Sequence, residues 1–364
     1  MIYCANPKEQ YLAYKNEIDE AISNVLNSSS YILGSQVEQL EENFANYIGV
    51  NSAIGVANGT DAIEIALRSM GIGHGDKVIT VSYSAVATIA GIESTGAEAV
   101  VIDLEKDFFT MDPSLLKNAF SKDVKAVIAV HIYGQSAQID SIKNFCTEYG
   151  LFLIEDVAQA HGAKFKNERL GSIGDVGTFS CYPTKNLGAI GDGGLITTNN
   201  KDLADKMKMI REYGWKDRIS EIKGRNSRLD EIQAAILNIK LPHLDEDNNK
   251  RKEIAAIYDQ IDCQDLITPM RRESCDHVFH LYVCKTKQRD ELINFLSKKS
   301  IFAGIHYIKP IHLQPAYLNN IELASTLKVT ESICNEIISL PMYPQLPISE
   351  AEKVCSEIKS FFNN

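Results

Sequence analysis

The strongest constraint on this chain is an alternation between residues 51 and 200, where short β-branched runs are separated by segments of helical character. Val78-Ile79-Thr80-Val81, Ala99-Val100-Val101-Ile102, Ala126-Val127-Ile128-Ala129-Val130 and Leu151-Phe152-Leu153-Ile154 are the clearest of these runs. Parallel strands joined by crossover helices are buried on both faces and read as continuous apolar runs. The alternation therefore predicts an α/β fold, a mixed but mostly parallel sheet with helices on both faces. In such a sheet ligands sit beyond the carboxyl ends of the strands. Phe179 and residues 191–198 read as further, less regular strands and a turn, as expected where the sheet takes an antiparallel edge.

Beyond residue 200 the pattern changes. A helix is expected at about 201–211, a loop at 212–218 holding the single tryptophan, and a helix at 229–237. The domain change falls near Asp245, giving a large domain over 1–245 and a small α+β domain over 246–364 with a strand at 280–283 and a helix at 289–298. Gly71-Ile72-Gly73-His74-Gly75-Asp76 follows a helix and precedes a strand, the reverse of a dinucleotide fingerprint, and reads as a turn. A hydrophobic content of 45% suits a folded enzyme, and a net charge of −11 without basic runs argues against nucleic acid as a partner. The eight cysteines show no paired or finger spacing, and no apolar run approaches the roughly 20 residues that span a bilayer. A cytoplasmic protein without membrane contact is expected.

The chemistry is concentrated in three places. Phe179-Ser180-Cys181-Tyr182-Pro183-Thr184-Lys185-Asn186-Leu187-Gly188 ends a strand and presents one lysine before Gly191-Asp192-Gly193-Gly194. Leu151-Phe152-Leu153-Ile154-Glu155-Asp156 is a strand ending in a carboxylate, and Asn58-Gly59-Thr60-Asp61 opens a helix with unpaired backbone N–H groups. An amine for an imine, a counter-charge for a ring nitrogen and an anion cradle are the parts that hold pyridoxal 5'-phosphate. Taken singly, each has a bland reading. Lys185 could be a solvated loop lysine, Asp156 a turn former and Asn58-Gly59-Thr60 an ordinary turn.

Together these motifs resemble the sugar-nucleotide aminotransferases of the DegT/DnrJ/EryC1/StrS family, over about residues 3–358. The resemblance implies fold type I and makes Lys185 the Schiff-base lysine and Asp156 the partner of the pyridine nitrogen. Through Glu155-Asp156-Val157-Ala158-Gln159-Ala160-His161-Gly162 it puts Gln159 near the ring hydroxyl, with a structural and a catalytic role both open for His161. Gly59, Thr60 and Ser180 would hold the phosphate. Tyr83 is the candidate to stack on the ring, although many relatives carry an aromatic two positions later, where this chain has Ala85.

In Gly224-Arg225-Asn226-Ser227-Arg228-Leu229-Asp230 the family pattern sends Asn226 across a dimer interface to the neighbour's phosphate, while an N-cap cluster is the bland alternative. A homodimer with shared active sites follows from the resemblance. Tyr182, Tyr213, Arg218, His306, Tyr307 and His312 are the candidate substrate contacts. No metal is expected, since His277, His280, His306 and His312 lack an acidic partner at ligand spacing. The implied reaction moves an amine from L-glutamate to C-3 of a dTDP-3-keto-6-deoxyhexose. Amination at C-4 of a UDP- or dTDP-4-keto sugar is the runner-up, with a sugar 3-dehydratase and a non-catalytic regulator as remoter rivals. The dehydratase would carry histidine in place of Lys185.

Overall fold

Eight strands form the central sheet of the computed structural model, which describes residues 1–363. Seven come from the first two hundred residues: β1 (Ser52–Val56), β2 (Lys77–Val81), β3 (Glu98–Ile102), β4 (Val124–Val130), β5 (Phe152–Asp156), β6 (Val176–Ser180) and β7 (Gly194–Thr198). The eighth, Glu322–Leu323, pairs in parallel with β3 at one edge. Across the sheet the order is then β3, β2, β4, β5, β6, β7, β1. Pairings from β3 to β6 are parallel, whereas β7 is antiparallel to both β6 and β1.

Period-two alternation divides each strand between two cores. Ile79, Val100, Val127 and Ala129 face one apolar cluster, while Val78, Val101, Ala126 and Ile128 face the other. Because both clusters are buried, the inner strands are mostly apolar on both sides, which is why these runs stand out in the sequence. β1 does not stand out. Its Ser-Ala-Ile-Gly-Val string has few β-formers, and the glycine is there for packing: a Cβ on Gly55 would stand 3.1 Å from Cβ of Leu229.

Four helices matter for the site: α1 (Ser35–Ile48), α2 (Gly59–Ser69), α3 (Glu231–Lys240) and α4 (Leu244–Tyr258). The side chain of Asn58 caps α2 by accepting from the Asp61 N–H at 2.9 Å. α2 then buries Ala62, Ile63, Ile65, Ala66 and Leu67 against the sheet. The carboxylate of Glu231, at the start of α3, accepts from the backbone N–H groups of Gly34, Gln36 and Val37, so one buried side chain serves the unpaired donors that open α1.

A third core holds Ile254, Tyr258, Tyr282, Leu292, Ile338 and Val354, and it also draws in Ile2 from the N-terminus. Strand Ile2–Tyr3 pairs there in parallel with Ile301–Phe302. Helix α4 spans two cores, with Leu244 in the sheet's cluster and Ile254 and Tyr258 in the third. Two local expectations shift. The 212–218 loop holds a small hairpin pairing Trp215–Lys216 with Ile219–Ser220. The strand expected at 280–283 runs instead over Tyr282–Lys285, while the His280 side chain is hydrogen-bonded to Asn186. Among the described residues no helix is long and apolar enough to cross a membrane, and no three His, Cys, Asp or Glu side chains gather as a metal would require.

Candidate active site

The carboxyl ends of β2, β4, β5 and β6 open onto one cavity of about 580 Å³, closed on another side by the start of α2. Gly59, Thr60, Asp156, Gln159, Ser180, Tyr182 and Lys185 all line it. Residues separated by more than a hundred positions thus meet at one rim, as the sheet topology requires.

Lys185 sits in a turn closed by two backbone bonds, Lys185 N–H to Tyr182 O and Ala189 N–H to Cys181 O, both 2.8 Å. Its side chain is half-buried at the cavity wall. Burial pushes the ammonium down to about 8 against the opposing pull of Asp156. With that pKa roughly a tenth of the amine is uncharged at pH 7, hundreds of times more than for a surface lysine, so burial raises the supply of nucleophile.

Asp156 is 5% exposed, and burial raises its pKa against the hydrogen bonds that oppose the shift. The Thr88 hydroxyl donates to its Oδ2 at 2.8 Å, and the Ala158 N–H donates to Oδ1 at 3.2 Å. Since the Thr88 proton is used there, Ser84 donates in turn to Thr88 at 2.9 Å. A buried carboxylate held this way, with a lysine as its nearest cation, is short of positive charge. A protonated ring nitrogen would supply it.

Gln159 is fixed at both ends of its amide. Its Oε1 accepts from the Tyr133 N–H at 2.9 Å, and its Nε2 donates to the Tyr307 hydroxyl at 3.0 Å. Next to Asp156, Glu155 faces the other way and is fully buried. Burial works against its charge, yet the His131 ring and the N–H groups of Gly171 and Gly174 hold it below its ordinary value. His131 Nδ1 accepts from the Ala137 N–H, which puts the ring proton on Nε2, directed at Glu155. This pair anchors the 171–174 turn and does not enter the cavity. His161 is buried beside Phe179, and burial first, then the charge of Lys185, lowers it to about 3 despite the opposing Ser180 backbone. Burial thus favours the neutral ring.

At the start of α2, Gly59 lies against Ser180: a Cβ there would stand 2.6 Å from the serine Cβ. The absence of a side chain lets the helix N-terminus, with its outward N–H groups and positive dipole end, face the cavity beside two hydroxyls. These parts fit pyridoxal 5'-phosphate: an amine for its aldehyde, a carboxylate for its ring nitrogen, a glycine-opened cradle for its phosphate.

Several expected contacts lie elsewhere. Tyr83 does not line the cavity; it is 1% exposed, packed against Tyr133, with its hydroxyl donating to the His306 carbonyl at 2.8 Å. Ser84 and Ala85 line the cavity, while Tyr83, expected to stack on the ring, is set back from it with its hydroxyl tied to the 306–307 backbone. His312 is likewise a bracket, 6% exposed, bonded through Nδ1 to Ser82 Oγ at 2.7 Å and through Nε2 to Glu331 at 3.4 Å. It holds the 310s segment to the end of β2 and does not line the cavity.

His306 and Tyr307 stand behind the lining, half-buried. His306 Nδ1 meets Ser339 Oγ at 2.9 Å, and burial followed by the Lys185 charge lowers the ring to about 4. Tyr182 is 53% exposed at the rim. Asn226 is exposed and outside this chain's cavity, while its neighbour Ser227 accepts from the Ala57 N–H at 3.2 Å, fixing the segment beside α2. Tyr213 and Arg218 are exposed on the Trp215 hairpin, also outside this cavity. Sequence reasoning missed Thr88, Ser84, Ala85 and Asp192 as site residues. The Ser84-x-x-x-Thr88 spacing was the available signal for Ser84 and Thr88, and Asp192 lies in the glycine turn that follows Lys185.

The model of the DegT/DnrJ/EryC1/StrS aminotransferase family matches residues 13–359. The dTDP-3-amino-3,6-dideoxy-alpha-D-galactopyranose transaminase of Aneurinibacillus thermoaerophilus is 41% identical over 96% of this chain and 96% of its own length. A pleiotropic regulatory protein of Geobacillus stearothermophilus is 40% identical over 98% of this chain and 97% of its own. The crystal structure of S. venezuelae DesV superposes with a TM-score of 0.96 at 37% identity, covering 100% of this chain and 99% of that one. With the lysine, the carboxylate and the cradle in place, the chain belongs to the DegT/DnrJ/EryC1/StrS aminotransferase family and is a pyridoxal 5'-phosphate-dependent sugar aminotransferase.

Proposed function

We propose that this chain transfers the amino group of L-glutamate to C-3 of a dTDP-3-keto-6-deoxyhexose, for deoxyamino-sugar and surface-glycan biosynthesis. The observation that carries the transfer is Lys185, an amine lowered to about 8 by burial at the wall of the cavity that also contains Asp156. Bound pyridoxal 5'-phosphate supplies an electron sink for deprotonating the carbon that bears nitrogen. Lys185 would hold the cofactor through its amine, and as a free base it would carry the proton between the two reacting atoms. Asp156 keeps the ring nitrogen protonated and is itself oriented by Thr88 and Ala158. Gln159 contacts the ring hydroxyl, while Gly59, Thr60 and Ser180 hold the phosphate.

The regiochemistry rests on the motif resemblance and is supported by the 41% identical relative, a dTDP-3-amino-3,6-dideoxy-alpha-D-galactopyranose transaminase. Tyr182, exposed at the rim, orients the hexose, while His306 and Tyr307 back the cavity wall from the 300s segment through their bonds to Ser339 and Gln159. In this reading the protein is a cytoplasmic homodimer: Asn226 reaches the neighbour's phosphate, and Tyr213 and Arg218 its nucleotide. Residues 1–245 hold the cofactor, and 246–364 form the smaller domain that contributes the 306–307 segment. The test is an assay of purified protein with glutamate and a panel of dTDP- and UDP-linked 3-keto and 4-keto sugars, with product NMR. An amine at C-3 of the dTDP sugar is expected. A C-4 amine, or turnover restricted to UDP sugars, refutes this substrate assignment.

A further inference from the structure

We infer that Arg225 is a positioning residue for the cofactor phosphate, acting by neutralising Asp61 at the mouth of the cradle. The inference rests on the reading above that the phosphate lies at the start of α2. Asp61 is the third residue of that helix and lines the same cavity as Gly59 and Thr60. A carboxylate is favourable at a helix start on its own, but beside a phosphate dianion it is a like charge in a poorly solvated place. Glu64, one turn on and 3% exposed in its side chain, adds a second negative charge to the same helix.

Arg225 answers both. Its Nη2 lies 3.3 Å from Asp61 Oδ1, and its Nη1 is hydrogen-bonded to Glu64 Oε2. Arg68 also holds Glu64, at 2.7 Å, but among the described residues no other salt bridge reaches Asp61. The backbone of Arg225 is fixed without help from its side chain, through its N–H to Ile210 O at 2.8 Å and the Tyr213 N–H to its carbonyl at 3.0 Å. The segment can therefore lose the guanidinium and keep its path.

The experiment is titration of the apo-protein with pyridoxal 5'-phosphate at low ionic strength, with pyridoxal as the phosphate-free control. Arg225→Gln is expected to weaken pyridoxal 5'-phosphate about tenfold, with a loss that shrinks as salt is added, and to leave pyridoxal unchanged. Adding Asp61→Asn to Arg225→Gln is expected to restore affinity to within about twofold of wild type. A purely structural role for Arg225 would not be rescued by removing Asp61's charge, so failure of that rescue overturns the inference. Thr60→Val separates this inference from the cradle itself: if it leaves affinity intact, the phosphate lies elsewhere and both readings fall. If Thr60→Val weakens binding and Arg225→Gln does not, this inference alone is overturned. Should Arg225→Gln not fold, Arg225→Lys is expected to keep most of the affinity, and to lose it if the guanidinium's shape, not its charge, is what matters.

Discussion

Replacing Gly59 with alanine tests the cradle most directly, because the clash can be worked out from the backbone. The new Cβ would lie 2.6 Å from Ser180 Cβ and 3.1 Å from Ser180 Cα, where unstrained carbons keep about 3.5–4.0 Å. Ser180 closes β6 and is paired there with Gly194 of β7, so its backbone resists moving away. The start of α2 must move instead, by about 1 Å. Overpacking of this kind costs roughly 1–3 kcal/mol of stability. More tellingly, it withdraws N–H donors from the phosphate position, and one hydrogen bond to a charged group is worth about 1.5–3 kcal/mol. Affinity for pyridoxal 5'-phosphate should then fall about ten- to a hundredfold, read by equilibrium titration of the apo-protein. Pyridoxal should bind to Gly59→Ala and wild type alike. Gly71→Ala is the control: its φ of +78 makes alanine strained, but nothing lies within 4 Å of the added carbon, so stability falls while cofactor affinity does not. Equal losses for pyridoxal and its phosphate, or wild-type affinity in Gly59→Ala, would refute the reasoning.

Lys185→Ala should abolish transamination and the borohydride-stable attachment of cofactor to protein; full turnover in this variant would sink the proposed role. In the apo-protein, amine modification of Lys185 should show a midpoint near pH 8, and Asp156→Asn should move it lower, because Asp156 is the charge that favours the ammonium. A midpoint unchanged or raised in Asp156→Asn contradicts this. Lys240 donates to Gln10 Oε1 at 3.0 Å and to Gly188 O at 2.7 Å, bracing the far end of the lysine turn, and burial lowers it from 10.5 to about 8. Since the native pKa lies below the unfolded one, the unfolded chain binds more protons between about pH 8 and 10.5, and stability rises with pH across that window. Lys240→Met should flatten that rise in chemical unfolding curves and should cost roughly 1–3 kcal/mol for each carbonyl left unpaired. An undiminished pH slope would show that Lys240 is not the titrating group.

The sequence by itself determined those features whose cause is local. Strands buried on both faces carry apolar residues on both sides, so the apolar runs of β2 to β5 announce themselves. The lysine turn, the strand-end carboxylate and the capped helix start each need particular residues within a few positions, so Lys185, Asp156 and Gly59-Thr60 were legible and do meet at one cavity. The three motifs together pointed to the cofactor and the family resemblance supplied the reaction class, neither of which could have come from periodicity alone. β1 was not legible, because its glycine is there for the sake of Leu229, which lies far along the chain.

Only the tertiary structure decided which polar side chains face a ligand and which are consumed in holding the fold. Tyr83 and Ala85 are two residues apart in one motif. The tyrosine is buried because the carbonyl of His306 and the amide of Tyr307 arrive to take its hydroxyl, and Ala85 is left at the cavity. His312 is claimed by Ser82 and Glu331 in the same way, whereas Tyr182 is exposed at the rim. A buried polar group must find a partner, and its partner is set by which distant segment the fold brings alongside. That choice is made by the packing of whole strands and helices, so no reading of a local motif contains it.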